Sequence, residues 1–283
     1  MPTTSSFAAV DNYLGRLPTG PRPHAAIWRA QDGSVQGQFF ACTLTSAFDA
    51  IHRIDGAVAG SKVVAFEGRA CGVSPEDQGL SVWRLLNQAA SDDESIELDR
   101  LCRLLHTINY FRQPIAADGA DLYLSIHNRL LAAVSSNHGH AFLRILNALE
   151  LPLAQIVLQL PAIGPGSRWL ANYVADNYQR NGFRLAFGAA TVVDAIDVVR
   201  QFRPHAIRID ARTARDPETL APLLTLTLAR DAGVDVIVTH VETHALLAFL
   251  GQVCRDIGGV VHAQGRALDA PRRERTPGRL QLA

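Results

Sequence analysis

The sequence predicts an α/β protein of the (β/α)8-barrel class, and three observations carry that expectation. Eight apolar runs of strand length occur between residues 46 and 263, most of them separated by amphipathic helical stretches. Strands alternating with helices imply parallel pairing through helical crossovers. The chain has 283 residues, 48% of them hydrophobic, which suits one large α/β core. Eight strands with seven helices at this length favour a closed ring over an open sheet.

The strands are expected at residues 46–53, 62–66, 122–126, 156–160, 184–187, 206–209, 235–238 and 259–263. Each is rich in Val, Ile, Leu or Phe and bounded by turn-forming residues. The first two are joined across Asp55-Gly56, a dipeptide that favours a hairpin, so one antiparallel strand is expected near the N-terminus. Helices are expected at 81–89, 98–111, 141–149, 168–180, 192–202, 217–231 and 243–257. In the last, Leu246, Leu247, Leu250, Val253 and Ile257 recur on one helical face.

Three segments follow: an N-terminal arm at 1–35, a barrel domain at 36–271 and a C-terminal tail at 272–283. The arm contains PTGPRP and little periodicity beyond a short helix near 10–14. The tail is polar and carries Arg272, Arg273, Arg275 and Arg279, a solvated end.

Composition excludes several classes. Basic and acidic residues number 27 each, so no global positive field exists to hold nucleic acid by its phosphates. No apolar run is long enough for a membrane span, and MPTTSSFAAV lacks the charged and apolar regions of a signal peptide. Cys42, Cys71, Cys102 and Cys254 are scattered without a CxxC pair, which fits a reducing cytoplasm. There is no G-x-S-x-G elbow, P-loop or dinucleotide fingerprint.

In a (β/α)8 barrel the C-terminal strand ends carry function. Four stretches that include such ends resemble the EAL family of cyclic-di-GMP phosphodiesterases. SAFDAIHRIDGAVAGSKVVAFEGRACG resembles the opening hairpin running into the Glu-Ala-Leu strand. GFRLAFGAATVVDAIDVVRQFRPHAIRID resembles the acidic loop, the following helix and the Lys-Ile-Asp strand. VDVIVTHVETHALLAFL resembles the Ala-Glu-Gly-Val-Glu-Thr segment, and VVHAQGRALDAP the final strand with its Gln-Gly step. Their order and spacing are more specific than any one alone, and they imply an EAL-type barrel.

The resemblance implies two divalent metals clamped by hard oxygen ligands around a phosphodiester. Against that pattern the chain departs repeatedly. Glu67 retains the Glu of Glu-Ala-Leu, but Gly68 and Arg69 follow it, and Cys71 replaces a phosphate-binding arginine. Ser125 stands for a ligand asparagine, Gln159 for a ligand glutamate, Arg208 for the lysine and Thr239 for another glutamate, while the acidic pair has no counterpart, since Phe187 and Gly188 follow Leu185-Ala186 with a residue deleted. Glu242 and Gln264 are kept, whereas Asp49-Ala50 replaces a nucleotide-contacting Gln-Pro. Glu67 alone does not hold a two-metal centre, and it is expected to be a residual acid pairing with Arg69 or Arg208.

Two other clusters are expected to be structural. His240, Glu242 and His244 form H-x-E-x-H, but histidines four apart converge as zinc ligands on a helix. Here His240 falls on a strand or loop and His244 begins a helix. Asn137 before His138-Gly139-His140 reads as a helix cap.

The expected function is therefore a catalytically inactive EAL-like regulatory domain without cofactor. It would act in the cytoplasm through an unidentified regulatory protein, in bacterial control of motility, biofilm or transcription. Cyclic-di-GMP binding is expected to be weak or absent, since Asp49 adds negative charge and Cys71 removes a contact. The resemblance also allows a homodimer. A non-hydrolysing cyclic-di-GMP receptor ranks second and a residual phosphodiesterase third. The apolar helices near Trp83 and Trp169 are the first candidates for a partner face.

Overall fold

The parallel strands are buried at nearly every position because both of their faces are covered, whereas a helix such as Val192–Phe202 buries one stripe, Val192, Ala195, Val198 and Val199. The computed structural model describes residues 8–21, 26–40, 42–56, 61–73, 91–127, 138–162, 168–229 and 233–268. The expected helix at 81–89 with Trp83, the cap Asn137 and the tail 272–283 lie outside the described residues.

The elements run α1 (Ala8–Arg16), β1 (Ile27–Arg29), β2 (Val35–Phe39), β3 (Cys42–Ile54), β4 (Lys62–Gly72), α2 (Asp92–Phe111) and the short α3 (Pro114–Ala117). Then follow β5 (Asp121–Ser125), α4 (His138–Ala148), β6 (Ile156–Leu160), α5 (Arg168–Arg180), β7 (Arg184–Ala189) and α6 (Val192–Phe202). The chain continues through β8 (Ala206–Asp210), α7 (Pro217–Ala229), β9 (Asp235–Thr239), α8 (His244–Ile257) and β10 (Val261–Ala263). Strand order is β1-β2-β3-β10-β9-β8-β7-β6-β5-β4, with β3 also paired to β4. Strands β3 to β10 thus close into the expected (β/α)8 ring, and β1 and β2 lie outside it.

The chain forms two compact units. The first is built mainly from Met1–Phe48 and Glu67–Ile156. Its long helix α2 starts at the N-cap Ser91, whose hydroxyl accepts the Glu94 N–H, and Asp92, Asp93 and Glu94 sit favourably in the first turn. Leu98, Leu105, Ile108 and Phe111 are buried beneath it. Burial of such side chains contributes roughly 1.5–3 kcal/mol each. A buried polar network adds specificity. Asn109 accepts the Val35 N–H at 2.7 Å and donates to Val35 O at 2.8 Å and Ser46 Oγ at 3.2 Å. Ser46 Oγ lies 2.9 Å from His106 Nδ1. On β4, Gly68 is pressed so closely that a Cβ there would lie 2.9 Å from His106 Cγ. Burial and then the neighbouring Arg69 charge push the His106 pKa down to about 3, so the ring stays neutral.

The N-terminal arm is more regular than its composition predicts. A helix does occupy the expected place, with Val10 and Leu14 buried. Beyond it, β1 pairs antiparallel with β2 through Ile27↔Gly37 and Arg29↔Val35, and β2 pairs with β3 through Gly37↔Leu44. The chain before β1 returns alongside it: Arg29 N donates to Pro18 O at 3.0 Å and Gly20 N to Arg29 O at 3.0 Å.

The second unit consists of Asp49–Phe66 and Val157–Arg272. In it β7 to β10 run parallel, and β10 meets β3 antiparallel through Val261↔Ile54 and Ala263↔His52. Helix α6 begins with a capping box between Thr191 and Asp194, and α8 with Thr243 accepting the Leu246 N–H. Gly258, at φ 71°, ends α8 in the left-handed conformation. Among the described residues, no helix is long and apolar enough to cross a membrane, and none of the four cysteines forms a disulfide.

Candidate functional site

Paired residues in parallel strands share a face, so the register decides what can meet. Gln159 on β6 pairs with Ala186 on β7, which pairs with Ala206 on β8. Two residues further along, Gly188 pairs with Arg208, and Arg208 with Ile237 on β9. Gln159, Ala186, Gly188 and Arg208 therefore face one side. The other side meets helices: Phe187 packs its ring 4.8 Å from that of Phe202 on α6. Phe187 thus belongs to the helix-facing layer.

The small residues on β7 have a consequence. Ala186 and Gly188 leave room for a long side chain to cross that strand. The Arg208 guanidinium takes this path, and Nη1 donates to Gln159 Oε1 at 2.7 Å. Nη2 donates to Gln264 Oε1 at 2.8 Å, just beyond β10. Arg208 is only 8% exposed. Three site positions singled out from sequence, Gln159, Arg208 and Gln264, are thereby joined by one cation. Gly188 is needed here for a second reason, since a Cβ at this position would lie 3.0 Å from Ala162 N.

The adjoining strand ends carry a second, exposed cluster. Asp210 closes β8 and accepts Arg212 Nε at 2.9 Å and Nη2 at 2.6 Å. Its Oδ2 also lies 3.1 Å from His240 Nδ1. The Arg212 hydrogen bond, ahead of the opposing cost of burial, holds the Asp210 pKa down at about 2. Thr239 donates to Ile209 O at 3.2 Å, and His240 follows it at φ 58°. Asp210 escaped the sequence reading as a site residue, although it completes the Arg208-Ile209-Asp210 stretch that resembles Lys-Ile-Asp.

The H-x-E-x-H residues diverge, as their placement on different elements predicts. His240 turns to Asp210, while Glu242 lies 3.1 Å from Arg266 Nε and His244 opens α8 behind its cap Thr243. Among the described residues, no three His, Cys, Asp or Glu side chains are grouped as a metal requires. The backbone after β10 is fixed tightly. Val241 N donates to Gln264 O, Gln264 N to Val238 O and Ala267 N to Val241 O, all at 2.9–3.0 Å. Gly265, at φ 155°, lies so close that a Cβ would come within 2.4 Å of Val241 N.

In the first unit, Glu67 on β4 and Ser125 at the end of β5 are also brought together, with Ser125 Oγ 3.4 Å from Glu67 Oε1. That is a long contact compared with those of Arg208.

Two divalent ions, the group the resemblance implies, do not fit the second unit's donors. The oxygens of Gln159 and Gln264 already hold a permanent cation, and those of Asp210 hold Arg212 and His240. A hard metal ion needs such oxygens free and preferably anionic.

No protein-family model and no curated protein matches the chain. Solved structures do. Klebsiella pneumoniae BlrP1, in complex with manganese and cyclic-di-GMP, aligns over 78% of this chain and 54% of its own at 18% identity and a TM-score of 0.61. Bacillus subtilis YkuI, which has an EAL domain and was solved with cyclic-di-GMP and calcium, aligns over 78% and 54% at 19% identity and 0.58. The chain thus spans about half the length of these two. The Pseudomonas aeruginosa FimX EAL domain bound to cyclic-di-GMP aligns over 81% of this chain and 90% of its own, at 18% identity and 0.58. At such identities the likeness is one of fold, and that fold is the EAL-type barrel.

Proposed function

We propose that this chain is an EAL-type signalling domain, spanning residues 36–271, that does not hydrolyse cyclic-di-GMP and acts through a protein partner. The observation carrying this reading is the Arg208 guanidinium held between Gln159 and Gln264, where a phosphodiesterase of this fold would need metal ligands. Substitution of the ligand positions at Ser125, Gln159 and Thr239 supports it from the sequence. A cytoplasmic protein whose cysteines form no disulfide fits the same reading.

Purified protein incubated with cyclic-di-GMP and Mn²⁺, followed by chromatography for linear pGpG, tests it. No product is expected. Turnover that disappears in Glu67→Ala would overturn the inactive reading.

A second reading, a non-hydrolysing receptor, draws on the solved structures of the same fold that hold cyclic-di-GMP. Calorimetric titration separates the two. Low-micromolar binding without turnover favours the receptor, and absent binding favours the interaction domain.

A further inference from the structure

Loss of acids alone leaves a polar, hydrated strand face, and the structure shows something more specific. On the reading that the domain is not a hydrolase, we propose that Arg208 is a resident cation that closes the strand face of the second unit to divalent metal ions. The guanidinium is permanently protonated, planar and forked. Its Nη1 reaches Gln159 Oε1 on β6, across β7, where the absence of bulk at Ala186 and Gly188 lets it pass, and its Nη2 reaches Gln264 Oε1 just beyond β10. Hydrogen bonds to a charged donor are stronger than neutral ones, and the head is buried, so the arrangement is fixed rather than fluctuating.

A divalent ion entering this face would meet a positive charge at contact distance in a poorly screened place. It would also have to strip Gln159 and Gln264 from their donor. Restoring an acid at position 159 would therefore supply Arg208 with a carboxylate partner instead of building a metal site. Removal of the cation must come first. Arg208 is thus a specificity-determining residue, and its effect depends on the neutral amides at Gln159 and Gln264 that it holds.

The test uses the full chain and Mn²⁺ alone, with free aquo-ion measured by electron paramagnetic resonance. Wild type and Gln159→Glu should leave Mn²⁺ free. The double variant Gln159→Glu/Arg208→Met should bind at least about tenfold more tightly than Gln159→Glu, given the removed repulsion. Equal binding by the single and double variants would overturn the proposal, as would saturable binding by wild type.

An independent arm uses Arg208→Ala. Millimolar guanidinium should raise its melting temperature and leave wild type unchanged, while urea, its neutral analogue, should stabilise neither. Stabilisation by urea as well, or by neither solute, would count against a cation site. Should Arg208→Ala fail to fold, Gln159→Glu/Arg208→Gln replaces that arm: the neutral amide should admit Mn²⁺ where Gln159→Glu keeps it out, and equal affinities would overturn the idea. Metal binding by Gln159→Glu without turnover by wild type refutes this inference while the inactive reading stands. Turnover by wild type refutes the inactive reading itself.

Discussion

Arg208 and Arg212 sit four positions apart and hold their partners under opposite conditions. Arg212 makes the more impressive pair, a two-pronged contact to the Asp210 carboxylate at 2.6 and 2.9 Å. Yet its side chain is 71% exposed, and water screens the attraction. Arg208 meets neutral amides in the hydrogen bonds to Gln159 and Gln264, but it is itself buried, so water screens its charge far less. The difference teaches that burial, more than charge pairing or bond length, sets what a contact is worth.

The same contrast exists between titrating groups and yields the largest expected effect. His106 is buried and its pKa depressed to about 3, while in the unfolded chain it titrates at the ordinary histidine value of 6.5. Between these values the unfolded state binds more protons, so stability is full above 6.5 and is lost as pH falls towards 3. The slope can reach ~1.4 kcal/mol per pH unit. Denaturant titrations across that interval should show it, and His106→Gln should flatten it. A slope unchanged by the substitution would refute a buried neutral ring.

Next in size is Arg208→Met. It leaves two half-buried amide oxygens without this donor and should cost roughly 1–3 kcal/mol in urea unfolding. A loss under about 0.5 kcal/mol would erase the distinction between the two arginines.

The smallest effect belongs to the exposed pair. Arg212→Ala should change urea unfolding least of the three, because the pair is screened by water. The depressed Asp210 pKa makes its contribution present above the ordinary carboxylate value of 3.8 and lost as pH falls towards 2. Asp210→Asn should remove that acid-limb component and leave the His106 component intact. A larger loss for Arg212→Ala than for Arg208→Met would reverse the comparison.

What was legible in the sequence follows the range of the forces involved. Strand 156–160 and helices 168–180 and 192–202 fall where the apolar spacing puts them, because their periodicity is uninterrupted. Helix α2 starts at Asp92, six residues before the first apolar position that marks it at 98, since Ser91 and the acidic first turn set its start. Strands β1 and β2, IWR and VQGQF, are short and broken by polar residues and glycine, so only their pairing reveals them. At the site, Gln159, Arg208 and Gln264 could be picked out one by one through the family resemblance. That a single guanidinium joins them depends on register across three strands, which no local pattern encodes. Register likewise decides that Phe187 meets α6 while Gly188 faces Arg208: one step along β7 moves a side chain to the opposite face.

The backbone pairing of Pro18–Gly20 with Arg29 also bears on solution behaviour. β1 ends the strand order, and an end strand offers unpaired N–H and C=O groups to any extended segment that arrives. At Arg29 both groups are already taken by the preceding stretch of the same molecule, and Trp28 beneath is buried. The arm therefore works as a selvedge on the fabric of the sheet. Trimming the chain to residue 36, the point where composition alone would cut it, would strip that hem and β1 with it, exposing β2 as a template for edge-to-edge association between molecules.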